Sequence, residues 1–265
     1  MILNRRMTQS SYALITGASS GIGFELAKCF ARQKINLVLV ARTTVKLEEL
    51  ARDMEREHGI RAHVIAVDLS EPDVANTIFN ECRNLGFEVE YLVNNAGFGS
   101  FGPFLDTGWD ISRRMIDLNI MALTHLTWLF APKMRERRRG RILNVASTAA
   151  FVPGPMMAVY YATKAFVLSF SEALGAELAE SGVTVTALCP GLTNSGFHAV
   201  AKTEDLRWVK GRRISSSREV AERGFEAMMA GEPVAIHGTM NYLLTQTVRF
   251  TPRNLVTKIV KTLQS

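Results

Sequence analysis

Short, almost continuously apolar runs alternate along the chain with longer segments that repeat apolar residues at helical spacing. The runs lie at residues 12–16, 36–41, 62–67, 89–93, 141–146 and 183–189, with a weaker one at 233–237. Strands that are apolar at nearly every position are typical of a parallel sheet covered on both faces. The pattern therefore predicts an α/β fold, a doubly wound parallel sheet of about seven strands with helices on both faces.

One segment shows both ends of a helix. Thr43 or Thr44 can cap the run VKLEELARDMEREH, and Gly59 follows it. No Pro/Gly-rich linker, repeat or low-complexity tract divides the chain, so we expect residues 1–265 to form a single domain. Within it we expect a substrate lid around residues 194–213 and a helical C-terminal tail at 241–265.

The composition is that of an ordinary globular protein, with 47% hydrophobic and 21% charged residues. The three cysteines are far apart and fit neither a disulfide framework nor a zinc site, which favours a reducing compartment. The first residues, MILNRRMTQSSY, show no apolar signal-peptide core, and no run of eighteen apolar residues follows. We expect a cytoplasmic protein.

The net charge of +6 raises the question of a polyanionic partner. Much of the excess lies in the clusters at 135–141 (RERRRGR) and 210–213, and no aromatic residues interleave the first. This favours solvated surfaces over nucleic-acid binding. The tail is amphipathic and basic, and we expect it to pack on the domain or a second subunit; contact with an anionic membrane is the weaker alternative.

A glycine-rich stretch, TGASSGIG (residues 16–23), follows the first predicted strand. Glycines there permit a tight turn and let backbone N–H groups approach a pyrophosphate at the start of the next helix. The spacing is G-x-x-x-G-x-G, which only approximates the usual dinucleotide fingerprint. The coenzyme contacts predicted from this stretch are Gly17, Ser19, Ser20, Gly21, Ile22 and Gly23.

The end of the second strand bears on coenzyme choice. NAD-binding folds often place an acidic residue there, whereas this chain has Arg42, with Lys46 one turn later. A guanidinium could pair with a 2′-phosphate through two hydrogen bonds. The pattern favours NADP(H) over NAD(H), and the alternative is a surface arginine that merely begins a helix.

Further candidate coenzyme contacts follow the third and fourth strands: Asp68, Leu69, Asn95, Ala96 and Gly97. Asp68 could accept a hydrogen bond from an adenine amino group, or could cap the helix that starts near Pro72. The small residues after Asn94 suit a backbone that passes close to a flat ligand.

Ser147, Tyr160 and Lys164 form the strongest constellation. Tyr160 and Lys164 are four residues apart and would share one face of a helix, while Tyr161 would be rotated by about 100°. A nearby ammonium, together with the positive charge of an oxidised nicotinamide, favours the ionised form of a phenol, whose ordinary pKa is about 10. By spacing alone, two aromatic residues beside a surface charge remain the alternative.

Together these motifs resemble the short-chain dehydrogenase/reductase family over nearly the full chain. TGASSGIG matches the coenzyme turn and NNAG (94–97) the fourth-strand motif; Asn119, Ser147, Tyr160 and Lys164 match the catalytic tetrad. The resemblance implies a Rossmann-type fold. The family pattern Tyr-x-x-x-Lys selects Tyr160 and makes Tyr161 a filler position.

The resemblance implies a role for each member of the tetrad. Tyr160 would exchange the proton at the substrate oxygen, and Lys164 would lower its pKa and bind the nicotinamide ribose. Ser147 would donate to the substrate oxygen, and Asn119 would hold a water that links Lys164 to solvent. Beyond the tetrad, Pro190, Gly191 and Thr193 would face the nicotinamide, and Ser195 stands where threonine is commoner.

The C-terminus departs from the commonest branch of the family, which ends in a Val-Asp-Gly-Gly segment that supports a tetramer. Here PVAIHG (233–238) continues into a helical tail, as in acyl- and general carbonyl-reducing members. The resemblance thus implies a homodimer, with a tetramer as the alternative, and no metal.

The function implied is hydride transfer between NADP(H) and a carbonyl or secondary alcohol. Aromatic and methionine residues in variable segments suggest an apolar substrate, a ketone, aldehyde or 3-oxoacyl compound; core packing is the alternative for these side chains. They are Phe98, Phe101, Phe104, Met156, Met157, Phe197 and Trp208. A non-catalytic dinucleotide-binding sensor of the same fold is the competing function.

Overall fold

The computed structural model describes residues 11–197, 201 and 214–264. Its main sheet consists of β1 (Ser11–Thr16), β2 (Asn36–Ala41), β3 (Ala62–Ala66), β4 (Glu88–Asn94), β5 (Gly140–Val145), β6 (Val183–Cys189) and β9 (Val234–Ile236). All neighbouring strands pair in parallel, in the order β3-β2-β1-β4-β5-β6-β9. The predicted seven-stranded, doubly wound sheet is confirmed.

Helices cover both faces of this sheet. They are α1 (Gly21–Arg32), α2 (Thr44–His58), α3 (Val74–Asn84), α4 (Trp109–Ile116), α5 (Leu123–Glu136), α6 (Ala158–Leu178), α7 (Ser217–Ala230), α8 (Thr239–Thr247) and α9 (Arg253–Gln264). One buried cluster joins the sheet to Phe30 of α1 and Met228 of α7, and another joins it to Ile78 of α3 and Leu126 of α5. The strands are therefore buried on both faces, which explains their continuous apolar sequence.

The ends of α2 are those expected from the sequence. Thr43 occupies the N-cap position with extended backbone, and Gly59 follows the last turn with φ of +63°. Glycine adopts this left-handed conformation without the steric cost that a Cβ would add.

The strand order reverses on either side of β1, because the chain passes from β3 at one edge back to β4 beside β1. Loops that leave β1 and β4 in opposite directions open a crevice at the carboxyl ends of the strands. The candidate residues that directly follow the strands in the sequence therefore lie around this crevice.

A small second sheet flanks the crevice. Strands β7 (Thr193–Asn194) and β8 (Ser215–Ser216) pair in parallel. The predicted lid, 194–213, falls between them and lies for the most part outside the described residues, as does the basic cluster at 210–213.

The C-terminal tail packs against its own domain. Val256 and Gln264 of α9 are buried, with 6% and 5% of their surface exposed. Across the described ranges, no helix has the length and hydropathy needed to cross a membrane.

Candidate active site

A cavity of about 690 Å³ lies at the carboxyl ends of the strands. The predicted coenzyme and catalytic residues that line it are Gly17, Ser19, Ser20, Ile22, Arg42, Asp68, Leu69, Asn95, Ala96, Gly97, Ser147, Tyr160, Lys164, Pro190, Gly191 and Thr193. Three predicted site residues, Gly21, Gly23 and Asn119, are not on its surface. The topology thus brings segments from both halves of the chain to one cavity.

The glycines of the first turn are required by close backbone approaches. Gly17 has φ of +67°, and a Cβ on Gly23 would collide with the Gly17 carbonyl. Gly21 has φ of +59°, and a Cβ at this position would collide with the backbone of Ser195. Gly21 and Gly23 therefore shape the turn from behind, while Gly17 forms part of the cavity wall.

Asn95 holds this turn against the fourth strand. Its Nδ2 donates to the carbonyl oxygens of Thr16 (2.8 Å) and Gly17 (3.2 Å). The Thr16 hydroxyl accepts from the backbone N–H groups of Asn95 (2.9 Å) and Ala96 (3.0 Å). The side-chain amide of Asn95 thus positions the glycine-rich turn, and Asn95 also lines the cavity.

Asp68 links two arginines at the other end of the crevice. Its Oδ2 accepts from Nη2 of Arg114 (3.3 Å) and lies 3.8 Å from Nη1 of Arg42. Partial burial acts to raise the pKa of Asp68, but hydrogen bonds from Ser70 and the two guanidinium charges hold that pKa below its ordinary value. Asp68 is therefore an anion that orients both arginines.

The structure excludes one of the two interpretations of Asp68, and the contact with an adenine amino group stays a prediction. The helix after β3 begins at Val74 with Asp73 at its N-cap, so Asp68 does not cap it. Its Oδ1 accepts from the N–H (2.9 Å) and hydroxyl (2.7 Å) of Ser70 instead.

Arg114, on α4, is a functional candidate that the sequence did not reveal. It lines the cavity together with Arg42, whereas Lys46, one turn after Arg42, does not. No local motif marks Arg114, because it reaches the site only through the packing of α4 beside the β3 loop.

Tyr160 and Lys164 lie side by side at the centre of the cavity, near Ser147. Both are buried, with 9% and 6% of their surface exposed. Nζ of Lys164 donates to the carbonyl oxygen of Val145 (2.7 Å) and lies 5.9 Å from the centre of the Tyr160 ring. The side chain of Ser147 forms a hydrogen bond with Tyr160 and accepts another from the N–H of Ala149 (3.1 Å).

Burial dominates the protonation of both groups. It raises the pKa of Tyr160 above its ordinary value of 10, against the opposing effect of the hydrogen bond with Ser147. Burial lowers the pKa of Lys164 from 10.5 to about 8. The ammonium of Lys164 is directed at the Val145 carbonyl. The raised pKa of Tyr160 belongs to the coenzyme-free protein, and the lowering that we expect from Lys164 together with an oxidised nicotinamide stays a prediction.

Asn119 lies behind this centre rather than on its surface. It belongs to a π-helical stretch, Asp117–Ala122, between α4 and α5. Its Oδ1 accepts from the N–H of Phe98 (3.1 Å), and its Nδ2 donates to the Phe98 carbonyl (3.0 Å) and the Thr163 hydroxyl (3.0 Å). Its side chain thus ties the loop after β4 to α6, and the water-holding role remains a prediction.

Gly97 is confined between two members of the predicted tetrad. A Cβ at this position would lie 3.0 Å from Oδ1 of Asn119 and 3.5 Å from Nζ of Lys164. The absence of a side chain at Gly97 therefore allows the loop to pass over both groups.

A buried polar network supports the cavity floor, and the sequence did not reveal it. Nδ2 of Asn94 donates to Oγ1 of Thr127 (3.0 Å) and Oδ1 of Asn144 (2.9 Å), and Nδ2 of Asn144 donates to Oγ of Ser171 (2.9 Å). These bonds join β4, β5, α5 and α6 beneath the reacting groups.

The loop after β6 forms the wall next to the reacting groups. Oγ1 of Thr193 donates to the carbonyl of Gly191 (3.0 Å), and Gly191 is in close contact with the side chain of Asn241. Pro190 and Ser195 also line this wall.

Only some of the apolar residues expected to contact the substrate lie on the cavity surface. Phe98, Met157 and Phe197 line the cavity. Phe101, Phe104 and Met156 do not, and Phe104 is 53% exposed. Trp208 lies outside the described residues.

The C-terminal tail supplies a wall that the sequence did not assign. Val260, Leu263 and Gln264 of α9 line the cavity, as does Tyr161. Nε2 of Gln264 donates to the Tyr161 hydroxyl (2.7 Å). The family pattern gives Tyr161 no catalytic role, and the structure adds that its phenol is part of the cavity wall.

Comparison with protein-family models gives a match to the family described as short chain dehydrogenase, over residues 11–205 of this chain. That range contains the glycine turn, the Tyr160–Lys164 pair and the Asp68 cluster, which consists of Asp68, Arg42 and Arg114.

Proteins of known name resemble the chain over most of its length. A very-long-chain 3-oxoacyl-CoA reductase of Aspergillus clavatus is 32% identical over 246 residues, covering 89% of this chain and 70% of that protein. A 17-beta-hydroxysteroid dehydrogenase type 3 of Mus musculus is 37% identical over 186 residues, covering 69% and 60%. The structure of a short-chain dehydrogenase from Sphingobium yanoikuyae in complex with NADPH superposes with a TM-score of 0.81 at 33% identity, covering 91% and 94%.

Proposed function

Because the chain belongs to the short-chain dehydrogenase/reductase family and is an oxidoreductase, we propose that it transfers hydride between NADP(H) and a carbonyl or secondary alcohol of an apolar substrate. The substrate would be a ketone, aldehyde or 3-oxoacyl compound. One observation carries the proposal: a buried phenol in contact with Ser147 and beside Lys164 shares a cavity with the glycine turn.

The cavity fits a dinucleotide at its β1 end. The turn at Gly17 leaves no room for a side chain, which keeps backbone N–H groups open to a pyrophosphate. When bound, the nicotinamide ring supplies or accepts the hydride.

The acid–base step falls to Tyr160. Its raised pKa keeps the phenol protonated at neutral pH, which is the form that donates a proton to a substrate oxygen during reduction. Ser147 would donate to the same oxygen and stabilise the charge that develops there. Lys164, with a pKa of about 8, is largely protonated at pH 7 and can stabilise the phenolate left behind.

Preference for NADP(H) rests on the Asp68 cluster. Arg42 and Arg114 line one end of the cavity, and both are partly exposed, with 70% and 48% of their side-chain surface accessible. Two guanidinium groups can form charge-assisted hydrogen bonds to a 2′-phosphate. A ribose 2′-hydroxyl is uncharged, so the two arginines would contribute much less binding energy to NAD(H).

The substrate class rests on the cavity lining and on the relatives. Phe98, Met157 and Phe197 make the wall near Tyr160 apolar. The two relatives are, by name, a very-long-chain 3-oxoacyl-CoA reductase and a 17-beta-hydroxysteroid dehydrogenase, and a very long acyl chain and a steroid nucleus are both apolar groups. We propose a substrate of comparable apolarity for this chain.

The test is reduction of apolar ketones and aldehydes, followed by the loss of NADPH absorbance. Tyr160→Phe should lower kcat by at least about 100-fold, the contribution typical of a positioned proton donor. Tyr242→Phe, the same change at a tyrosine that is 52% exposed on α8, is the matched control. Equal losses in the two variants would overturn the assignment of Tyr160.

The competing function, a coenzyme-binding sensor without catalysis, predicts a different result. Such a protein would bind NADPH tightly and would leave every ketone and aldehyde of the panel unreduced. NADPH binding followed by fluorescence, alongside turnover, separates the two functions.

We also propose a cytoplasmic homodimer. The apolar side chains of Trp128 on α5 and Phe166 on α6 are 70% and 38% exposed, which supports a subunit contact on these helices. The three cysteines are unpaired and buried, which agrees with a reducing compartment. Sedimentation velocity of the wild type and of Trp128→Glu tests the dimer, and an unchanged sedimentation coefficient would argue against this contact.

A further inference from the structure

The last turn of α9 buries an amide group beside the catalytic centre. Gln264 is 5% exposed and lines the cavity that also holds Tyr160. Its Nε2 donates to the Tyr161 hydroxyl at 2.7 Å. Its Oε1 is buried and has no hydrogen-bond partner within the part of the chain that the structure describes. A buried carbonyl oxygen that accepts no hydrogen bond lowers the stability of a folded protein. We therefore expect a bound ligand to donate a hydrogen bond to this atom.

Tyr161 is held firmly in its place. A Cβ on Gly154 would collide with its ring, so the ring rests directly on that glycine. The ring centres of Tyr160 and Tyr161 are 6.0 Å apart, with planes at 78°. The hydroxyl of Tyr161 accepts from Gln264 and keeps its own hydrogen to donate. The pair therefore offers an acceptor and a donor at a fixed distance from the reacting phenol.

Much of the cavity wall is apolar. Tyr161 packs against an apolar cluster that includes Ala149 and Met157, and the cavity lining also contains Phe151, Val152, Val248, Val260 and Leu263. In a largely apolar wall a buried polar pair gives specificity, since a ligand that leaves the pair without hydrogen bonds loses affinity.

We propose that Gln264 and Tyr161 are specificity-determining residues that bind a hydroxyl or N–H group of the substrate, remote from its reacting carbonyl. Oε1 of Gln264 accepts from this group, and the Tyr161 hydroxyl can donate to it when it is a hydroxyl. The inference rests on the proposed function, because it assigns the reacting carbonyl to Tyr160. It adds that the preferred substrate is apolar along its length and carries a hydrogen-bond donor at its far end.

The experiment compares matched ketones on the coenzyme complexes of the full chain. The probes are 4-hydroxyphenyl methyl ketones with zero to four methylenes between ring and carbonyl, each with its phenyl and 4-methoxyphenyl counterpart. The methoxy group keeps an acceptor and removes the donor. For the wild type, Gln264→Leu and Tyr161→Phe, kcat/KM is measured with NADPH, and the dissociation constant is measured by calorimetry on the NADP⁺ complex, which cannot reduce the ketone. Gln246→Leu, the same change on α8 away from the cavity lining, is the control.

For at least one chain length, the wild type should prefer the hydroxyl compound over the phenyl compound by about 10-fold or more. Gln264→Leu should bring this ratio close to one, whereas Gln246→Leu should retain it. The methoxy compound should not share the preference. Calorimetry should show the same ratios, because the contact is made on binding.

Two results would overturn the inference. One is a hydroxyl-to-phenyl ratio in Gln264→Leu equal to that of the wild type; the other is a preference for the methoxy over the hydroxyl compound. Failure of the proposed function is distinct from both: in that case no ketone is reduced, while the binding ratios still decide whether Gln264 recognises a donor. A melting temperature of Gln264→Leu near that of the wild type shows that the variant is folded.

Discussion

Lys164 gives the clearest quantitative test of the electrostatics of this site. Its ammonium is almost completely buried, and burial lowers its pKa from 10.5 to about 8. Each pKa unit corresponds to ~1.4 kcal/mol of differential stabilisation between the protonation states. Keeping Lys164 charged in the folded, coenzyme-free protein at pH 7 therefore costs about 3 kcal/mol of stability, from this pKa difference.

The cost has a defined pH window. Between pH 8 and 10.5 the unfolded chain keeps the proton on this lysine while the folded chain has lost it, so stability rises with pH. Below about pH 8 both states are protonated and the full cost is present. Lys164→Met removes the titrating group and with it this part of the pH dependence.

The substitution also removes one favourable contact. Nζ of Lys164 donates to the Val145 carbonyl at 2.7 Å, and losing such a bond costs about 1 kcal/mol. We therefore expect Lys164→Met to be more stable than the wild type at pH 7 by about 2 kcal/mol, the difference between these two effects. Lys164→Met is therefore expected to stabilise the folded protein while it removes a side chain that turnover requires.

The assay is urea denaturation of the coenzyme-free protein at pH 7 and pH 10. The free energy of unfolding of the wild type should approach that of Lys164→Met, and then exceed it, as the pH rises. Lys46→Met, the same change at an exposed lysine on α2, should keep the pH dependence of the wild type. The reasoning is refuted if the wild type and Lys164→Met change in parallel between the two pH values.

Four further substitutions test other parts of the site. Arg42→Ala and Arg114→Ala should each weaken NADPH binding by about 10-fold and NADH binding by less, because each removes charge-assisted hydrogen bonds to a phosphate; equal effects on both coenzymes in titrations would contradict this. Gly23→Ala should raise the dissociation constants of both coenzymes, because its methyl group would collide with the Gly17 carbonyl; unchanged titrations would refute the crowding argument. Asn144→Leu should lower the free energy of unfolding by about 2 kcal/mol, because it removes hydrogen bonds with Asn94 and Ser171 in a buried network; urea denaturation measures this, and a smaller loss than in an exposed asparagine variant would speak against it.

The local motifs were predictable because their physical causes are local. Strands covered on both faces must be apolar at every position, so the sheet could be found from hydropathy alone, including its weak last strand, Val234–Ile236. Glycines at a tight turn and a tyrosine one helical turn before a lysine are likewise fixed by backbone geometry. These signals placed most of the predicted residues on one cavity.

Other features depend on contacts between residues far apart in the chain. Arg114 meets Asp68 across 46 positions, and Gln264 meets Tyr161 across 103. A helix pattern reports which face of a segment is apolar, but not which side chain of another segment it will meet. Neither pair could therefore be predicted before the packing of α4 and α9 was known.

The sequence by itself determined the parallel sheet, the coenzyme turn and the pairing of Tyr160 with Lys164, since each follows from short-range sterics and periodicity. Only the tertiary structure decided the direction of the pKa changes at that pair. Spacing brings an ammonium near a phenol, whereas the depth of burial sets the desolvation that raises the pKa of Tyr160 and lowers that of Lys164 in the coenzyme-free protein. Desolvation is a property of everything packed around a group, so it cannot be obtained from the residues adjacent in the chain.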